Sequence, residues 1–255
     1  MKFEWDMLPS GINTLTLHFF SEIDAALNTE YIHRLTTAFE TNAHPDNAKG
    51  QRQYMKNRFD FYGLSTNVRR SIQKPFLDKN HLPTKAAAKE MIQMLWEKPQ
   101  REYQYFAQEL AQKYLKTLTP DDILLYEHMV THQSWWDTVD VIAVHLMGRY
   151  FRTYPDQIAI YIPKWLSSGN MWLQRSAILF QLQYKQATDT VLLQSTIESM
   201  LGSKEFFINK AIGWALREYS KTNPEWVKHF AHTTPLSNLS KREALKVLLR
   251  KNEGF

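Results

Sequence analysis

Thr131-His132-Gln133-Ser134-Trp135-Trp136-Asp137-Thr138-Val139-Asp140-Val141-Ile142-Ala143-Val144-His145 is the stretch from which the rest of the chain can be read. Trp135, Val139 and Ile142 recur at helical spacing, so they predict a helix over 134–147 with Trp135 in its apolar stripe. Ser134-x-x-Asp137 resembles a capping box, with Ser134 as N-cap and Asp137 bonding back to it. Trp136 and Asp140 are four residues apart and share one face. A helix does not need two tryptophans and two carboxylates in order to fold. A large π surface beside a carboxylate suits a site that handles a cation, either a ligand or a positive charge that develops during a reaction.

Working outward, the pattern recurs. Trp172 precedes Arg175, and Phe206-Phe207 precedes Lys210, each an aromatic one turn before an ionisable residue. Asp140, Arg175 and Lys210 are spaced 35 residues apart. The remaining periodicity is also helical, and predicts helices at 29–42, 46–62, 66–78, 84–96, 99–115, 120–131, 134–147, 155–167, 170–185, 188–201, 204–220, 222–232 and 240–251. Pro45, Pro75, Pro83, Pro99, Pro120, Pro155 and Pro224 precede or open these runs, as proline does at a helix start. No strand is convincing. The apolar run 158–162 fits strand or helix by pattern, and Pro163 after it should start a new turn or kink a helix. Short helices with short links, repeated, predict stacked helical pairs: an all-α, HEAT-like helical-repeat superhelix (α-solenoid) with a concave basic face. Equivalent helices would line that wall and place Asp140, Arg175 and Lys210 in a row along it, facing an extended ligand.

The chain has 255 residues with a net charge of +5, and residues 200–255 hold ten Lys/Arg against five Asp/Glu. A basic bias of this kind permits a polyanionic partner. There is no cysteine, which excludes disulfides, thiolate catalysis and Cys-based zinc or iron–sulfur sites. No glycine pair forms GxG, so no phosphate-cradling loop is written. No apolar run is long enough to span a bilayer and no signal peptide is evident. The expectation is a cytoplasmic protein without membrane contact. Residues 1–27 differ from the rest in being acidic. They are open to three readings: an extra helix, a loose arm, or the product of an upstream start codon.

Several blocks together resemble the AlkD family of bacterial DNA alkylation-repair glycosylases: Ser134–Asp140, Trp172–Arg175 with Ala177–Leu182, Lys204–Ile208, Lys210–Trp214 with Leu216–Tyr219, Tyr54–Asn57 and Leu239–Ala244. The similarity covers about residues 28–255, read as one domain, and leaves 1–27 as an N-terminal extension. It implies a HEAT-like superhelix holding duplex DNA. It further implies hydrolysis of the N-glycosidic bond of cationic alkylated purines, such as N3-methyladenine and N7-methylguanine, without base flipping; the chemistry requires no metal or cofactor, and a monomer is expected. The family's catalytic carboxylate falls on Asp140, its aromatic partners on Trp136, Trp214 and Tyr54, and its arginine on Arg175.

The chemistry asks for those residue types. An alkylated purine is already a cationic leaving group, so bond breaking moves positive charge to the sugar rather than requiring an acid. A carboxylate stabilises that charge, and aromatic faces attract it. Arg175 reads as a phosphate contact near the lesion or as a structural arginine between repeats. Lys204, Lys210, Lys241 and Arg242 read as phosphate clamps or as solvated charges. Ser240 reads as a cap of the last helix that offers its N-terminus to a phosphate. Trp136 and Trp214 also fit a core. His128 and His132 have the i, i+4 spacing of a helical metal pair, but no HExxH and no third ligand accompany them. Two alternatives to the enzyme stand: a non-catalytic module of the same fold binding damaged or branched DNA, and a protein-interaction scaffold.

Overall fold

A computed structural model of the chain describes the backbone of residues 14–252 and the side chains of 26–249. The fold is all-α, of the helical-repeat (α-solenoid) class. Among the described residues the only β feature is an isolated bridge between Asp60 and Gln100. The chain divides into two compact units, Met1–Tyr103 and Gln104–Phe255.

The first unit contains α1 (Thr14–Thr41), α2 (Pro45–Tyr54), α3 (Thr66–Gln73) with a 3₁₀ turn at Lys74–Leu77, α4 (Lys85–Trp96) and the start of α5 (Arg101–Gln112). From Thr14 onward the expected extension is helical and continuous with the helix predicted at 29–42. Residues 1–13 lie outside the described residues. Leu35, Phe39, Ile92 and Leu95 are buried where α1 packs on α4. His44, Ser65 and Thr84 cap α2, α3 and α4, each accepting a backbone N–H from the first turn. α2 stops at Tyr54 rather than at 62, because Lys56 and Asn57 turn left-handed with φ near 58° and 57°. The loop that follows is held by the buried Glu102, whose carboxylate accepts the N–H groups of Tyr62, Gly63 and Leu64.

The second unit stacks its helices in two layers. One layer runs α7 (Trp136–Val141), a π-helical segment Ile142–Met147, α8 (Gly148–Thr153), α10 (Met171–Leu179), α12 (Phe206–Tyr219) and α14 (Asn238–Asn252). Behind it lie α6 (Asp122–Thr131), α9 (Ile158–Ser167), α11 (Thr190–Glu198) and α13 (Pro224–Thr233). Ala143, Ile178, Ile208, Ile212, Leu216, Val227 and Ala244 belong to one continuous core between the layers. The ambiguous run at 158–162 is helical. α9 continues through Pro163, whose missing N–H leaves the Ala159 carbonyl to solvent, since Ala159 is exposed. The predicted end at 147 is passed. The π segment carries the helix on to Thr153 and re-aims its face, so that Tyr150 and Phe151 are buried beyond it.

Bonds from one helical pair to the next recur near the sequence period. Tyr150 Oη donates to the Pro120 carbonyl, Tyr154 Oη to that of Leu118, and Tyr184 Oη to that of Gly148. Glu127 accepts from Lys164 Nζ and the Trp165 indole.

α12 and α14 approach each other closely. A Cβ built on Gly213 would lie 2.5 Å from Glu243 Cβ and 2.9 Å from the Ser240 carbonyl oxygen. Gly50, inside α2, has nothing within 4 Å of its equivalent position. Gly50→Ala should therefore raise stability by about 1 kcal/mol, the ordinary gain of alanine in a helix interior. Gly213→Ala should lower it by about 1–2 kcal/mol, because overpacking outweighs that gain. Urea unfolding midpoints of the two variants check both signs.

Candidate functional site

α7 begins differently from the expected capping box. The N-cap is Trp135, which makes no side-chain cap bond. Ser134 instead donates its hydroxyl to the Val130 carbonyl at the end of α6, 2.6 Å away. Asp137 does not bond back to Ser134; its Oδ2 accepts from Tyr105 Oη at 2.7 Å. Trp135 is half-buried and packs edge-on against Trp172 and Phe207, with ring centroids 5.6 Å and 5.0 Å away. Trp135, Trp172 and Phe207 therefore meet in one cluster bridging α7, α10 and α12.

Asp140 sits on the next turn, with its side chain 14% exposed, and Arg175 of α10 with 5%. The two form a fork. Arg175 Nε reaches Asp140 Oδ1 at 2.7 Å and Nη2 reaches Oδ2 at 2.9 Å. The remaining nitrogen, Nη1, donates to the Phe207 carbonyl in the first turn of α12. Burial pushes the Asp140 carboxyl above the ordinary aspartate range, and the charge of Asp137 adds to that, while the Arg175 hydrogen bonds and charge oppose it. Without the guanidinium this carboxylate could not stay ionised at low cost.

Arg175 is thus not a free phosphate contact. Its guanidinium bonds to both oxygens of Asp140 and to the Phe207 carbonyl, on a side chain only 5% exposed. The row Asp140, Arg175, Lys210 exists, but its members bond internally. Lys210 Nζ, on a side chain 37% exposed, pairs with Glu243 Oε1 at 2.9 Å. Ser240 lies inside α14, which starts at Asn238, and it is fully buried. Ser237 accepts its N–H, and its hydroxyl donates to the Asn209 carbonyl. It fastens α14 to α12, and no phosphate can reach it. Lys204 and Arg242 are exposed and Lys241 half-exposed, without side-chain partners among the described residues. Trp136 is half-buried at the head of α7, and Trp214 half-buried against the core between the layers. Tyr54 belongs to the first unit, at the end of α2, 68% exposed. His128 and His132 stack ring on ring at 4.1 Å, and no group of three His, Asp or Glu among the described residues is placed to hold a metal. Glu243 is the residue that sequence reasoning misses. Its signal is its distance from Lys210, which nearly continues the 35-residue ladder.

The family model described as DNA alkylation repair enzyme matches residues 35–248. The chain belongs to the DNA alkylation repair enzyme family. The solved structure of a predicted DNA alkylation repair enzyme from Enterococcus faecalis is 32% identical with a TM-score of 0.76, over 81% of this chain and 96% of that one. No curated protein matches. Membership in this DNA alkylation repair family gives the protein a role in DNA repair and makes DNA its partner. Among the described residues no helix is long and apolar enough to cross a membrane.

Breaking the Asp140–Arg175 fork from either side should be unequal. Arg175→Ala strands a buried carboxylate and should cost about 3–5 kcal/mol, whereas Asp140→Asn keeps an acceptor for the guanidinium and should cost less. A carboxyl with a raised folded pKa favours the native state while protonated, and that stability is lost as pH rises through the folded value. The deficit of Arg175→Ala should therefore be smaller at pH 5 than at pH 8, which denaturation at the two pH values measures.

Proposed function

We propose that this repair protein is a DNA glycosylase that hydrolyses the N-glycosidic bond of cationic alkylated purines, N3-methyladenine and N7-methylguanine among them, in duplex DNA without flipping the base. The observation that carries this reading is Asp140: a largely buried carboxylate, one turn from Trp136, held by two hydrogen bonds from Arg175. The reaction needs a negative group whose geometry is set before charge appears on the sugar. The fork provides that at no reorganisation cost in the transition state. Asp140 stabilises the oxocarbenium-like centre and orients water. Trp136, Trp214 and Tyr54 offer π faces to the sugar and the cationic nucleotide. Arg175 keeps Asp140 ionised and aimed. Lys204, Lys210, Lys241 and Arg242 contact backbone phosphates. We take a monomer to be the working unit.

In this mechanism the lesion supplies its own leaving-group activation, so neutral lesions such as uracil or 1,N6-ethenoadenine should be released slowly or not at all. Asp140→Asn should bind methylated duplex about as tightly as wild type and lose most single-turnover base release. The wild-type rate should fall as pH drops through the Asp140 pKa, on an acid limb lying above the ordinary aspartate range, because only the ionised form acts. Wild-type-like excision by Asp140→Asn would make the fork a structural staple and remove Asp140 from the chemistry, whereas no base release by the wild type itself would leave the non-catalytic DNA-binding module as the better reading.

A further inference from the structure

Lys210 and Arg217 stand seven residues apart on α12, two turns along one face, with Gly213 between them. Because Gly213 has no side chain, α14 crosses there closely and sets Glu243 beneath the two cations. Glu243 gives one oxygen to each, Oε1 to Lys210 Nζ at 2.9 Å and Oε2 to Arg217 Nη1. The carboxylate side chain is 11% exposed, while its partners are 37% and 26% exposed. A buried anion therefore underlies two reachable cations. The hydrogen bond from Lys210, with the nearby charges of Arg217 and Lys246, holds the Glu243 carboxyl below its usual range, so it stays ionised at neutral pH. Along α14, the side chains of Lys241, Arg242 and Lys246 have no hydrogen-bond or ion-pair partner among the described residues.

We propose that Glu243 is an internal competitor for DNA phosphate, and that by occupying Lys210 and Arg217 it keeps the affinity of this face for undamaged duplex low. The proposal rests on the reading that α12 and α14 contact the DNA backbone. A phosphate oxygen arriving at Lys210 or Arg217 must replace a carboxylate oxygen already in place. The Glu243 Cβ packs over Gly213, so the side chain starts directly beneath the two cations that its carboxylate holds. Each such contact is therefore worth less than one made by Lys241 or Arg242, which give up only water. The device weakens binding wherever the backbone alone is on offer, and costs a repair protein little where the lesion adds contacts of its own.

The test is binding of a short undamaged duplex, followed by fluorescence anisotropy across a salt series. Glu243→Gln keeps the shape and the packing at Gly213 but removes the charge. It should bind about threefold to tenfold tighter at physiological salt, with a slope of log K against log[salt] steeper by about one per phosphate newly engaged. In the wild-type background Lys210→Gln should cost less affinity than Arg242→Ala, and in the Glu243→Gln background it should abolish the gain. If Lys241→Ala and Arg242→Ala weaken binding but Glu243→Gln does not strengthen it, Glu243 is only a staple and the proposal is overturned. It is also overturned, independently of how well Glu243→Gln folds, if Lys210→Gln in the wild type costs as much as Arg242→Ala. If none of these variants changes affinity, the DNA lies elsewhere, and the reading of this face falls together with the proposal.

Discussion

One guanidinium holds three successive helices of a layer in register. Arg175 leaves α10, binds both oxygens of Asp140 on α7, and gives its last nitrogen to the Phe207 carbonyl at the start of α12. A lysine could not do this, because a point charge on a flexible stem cannot fork and reach a third acceptor at once. A buried fork of this kind adds little net stability compared with an apolar substitute of the same volume, because desolvation consumes most of the Coulomb gain. What it adds is position. The Trp135–Trp172–Phe207 cluster lies beside it and pins the same three helices by packing. Apolar contact and charge thus fix the same register.

The same economy runs through the second unit. Neighbouring helical pairs are fastened by side chains about one period away, and the acceptor is often a backbone carbonyl. Tyr154 and Tyr184 act in this way, and Ser240 does the same for α12 and α14. Burial raises the Tyr184 pKa to about 12, so its phenol stays a donor across the range in which the protein works. The unit is therefore a chain of nearest-neighbour interfaces, as repeat architectures are.

Much of this is legible in the sequence because local signals are strong. Caps at Asn170, Asp189 and Asn223, prolines at helix starts, and the period of 35 put the helices nearly where they are. What the period cannot say is whether residues in equivalent positions stand apart to meet a ligand or turn toward each other. Arg175 turns to Asp140 because a carboxylate lies within reach in a dry place, and that is a property of the assembled pair. Ser134 departs from its capping-box pattern for a similar reason. Its hydroxyl has a second acceptor, the last-turn carbonyl of Val130, which no local pattern reveals. Ser240 fits a helix start by type, yet α14 begins earlier and carries it into the interface with α12. Left-handed backbone at Lys56 and Asn57, which ends α2, is likewise invisible in residues that are not glycine.

The Asp140–Arg175 pair is neutral as a whole. From a distance it is a dipole, whose field falls off faster than that of a bare charge and is felt only by groups in near contact. It cannot help draw a polyanion in, nor does it repel one as a lone carboxylate would. Attraction over a Debye length is left to lysines and arginines outside this pair. In the proposed mechanism, capture and chemistry thereby fall to separate charges. On that mechanism, salt should tune how often DNA arrives and leave nearly untouched the reaction of a sugar placed against Asp140.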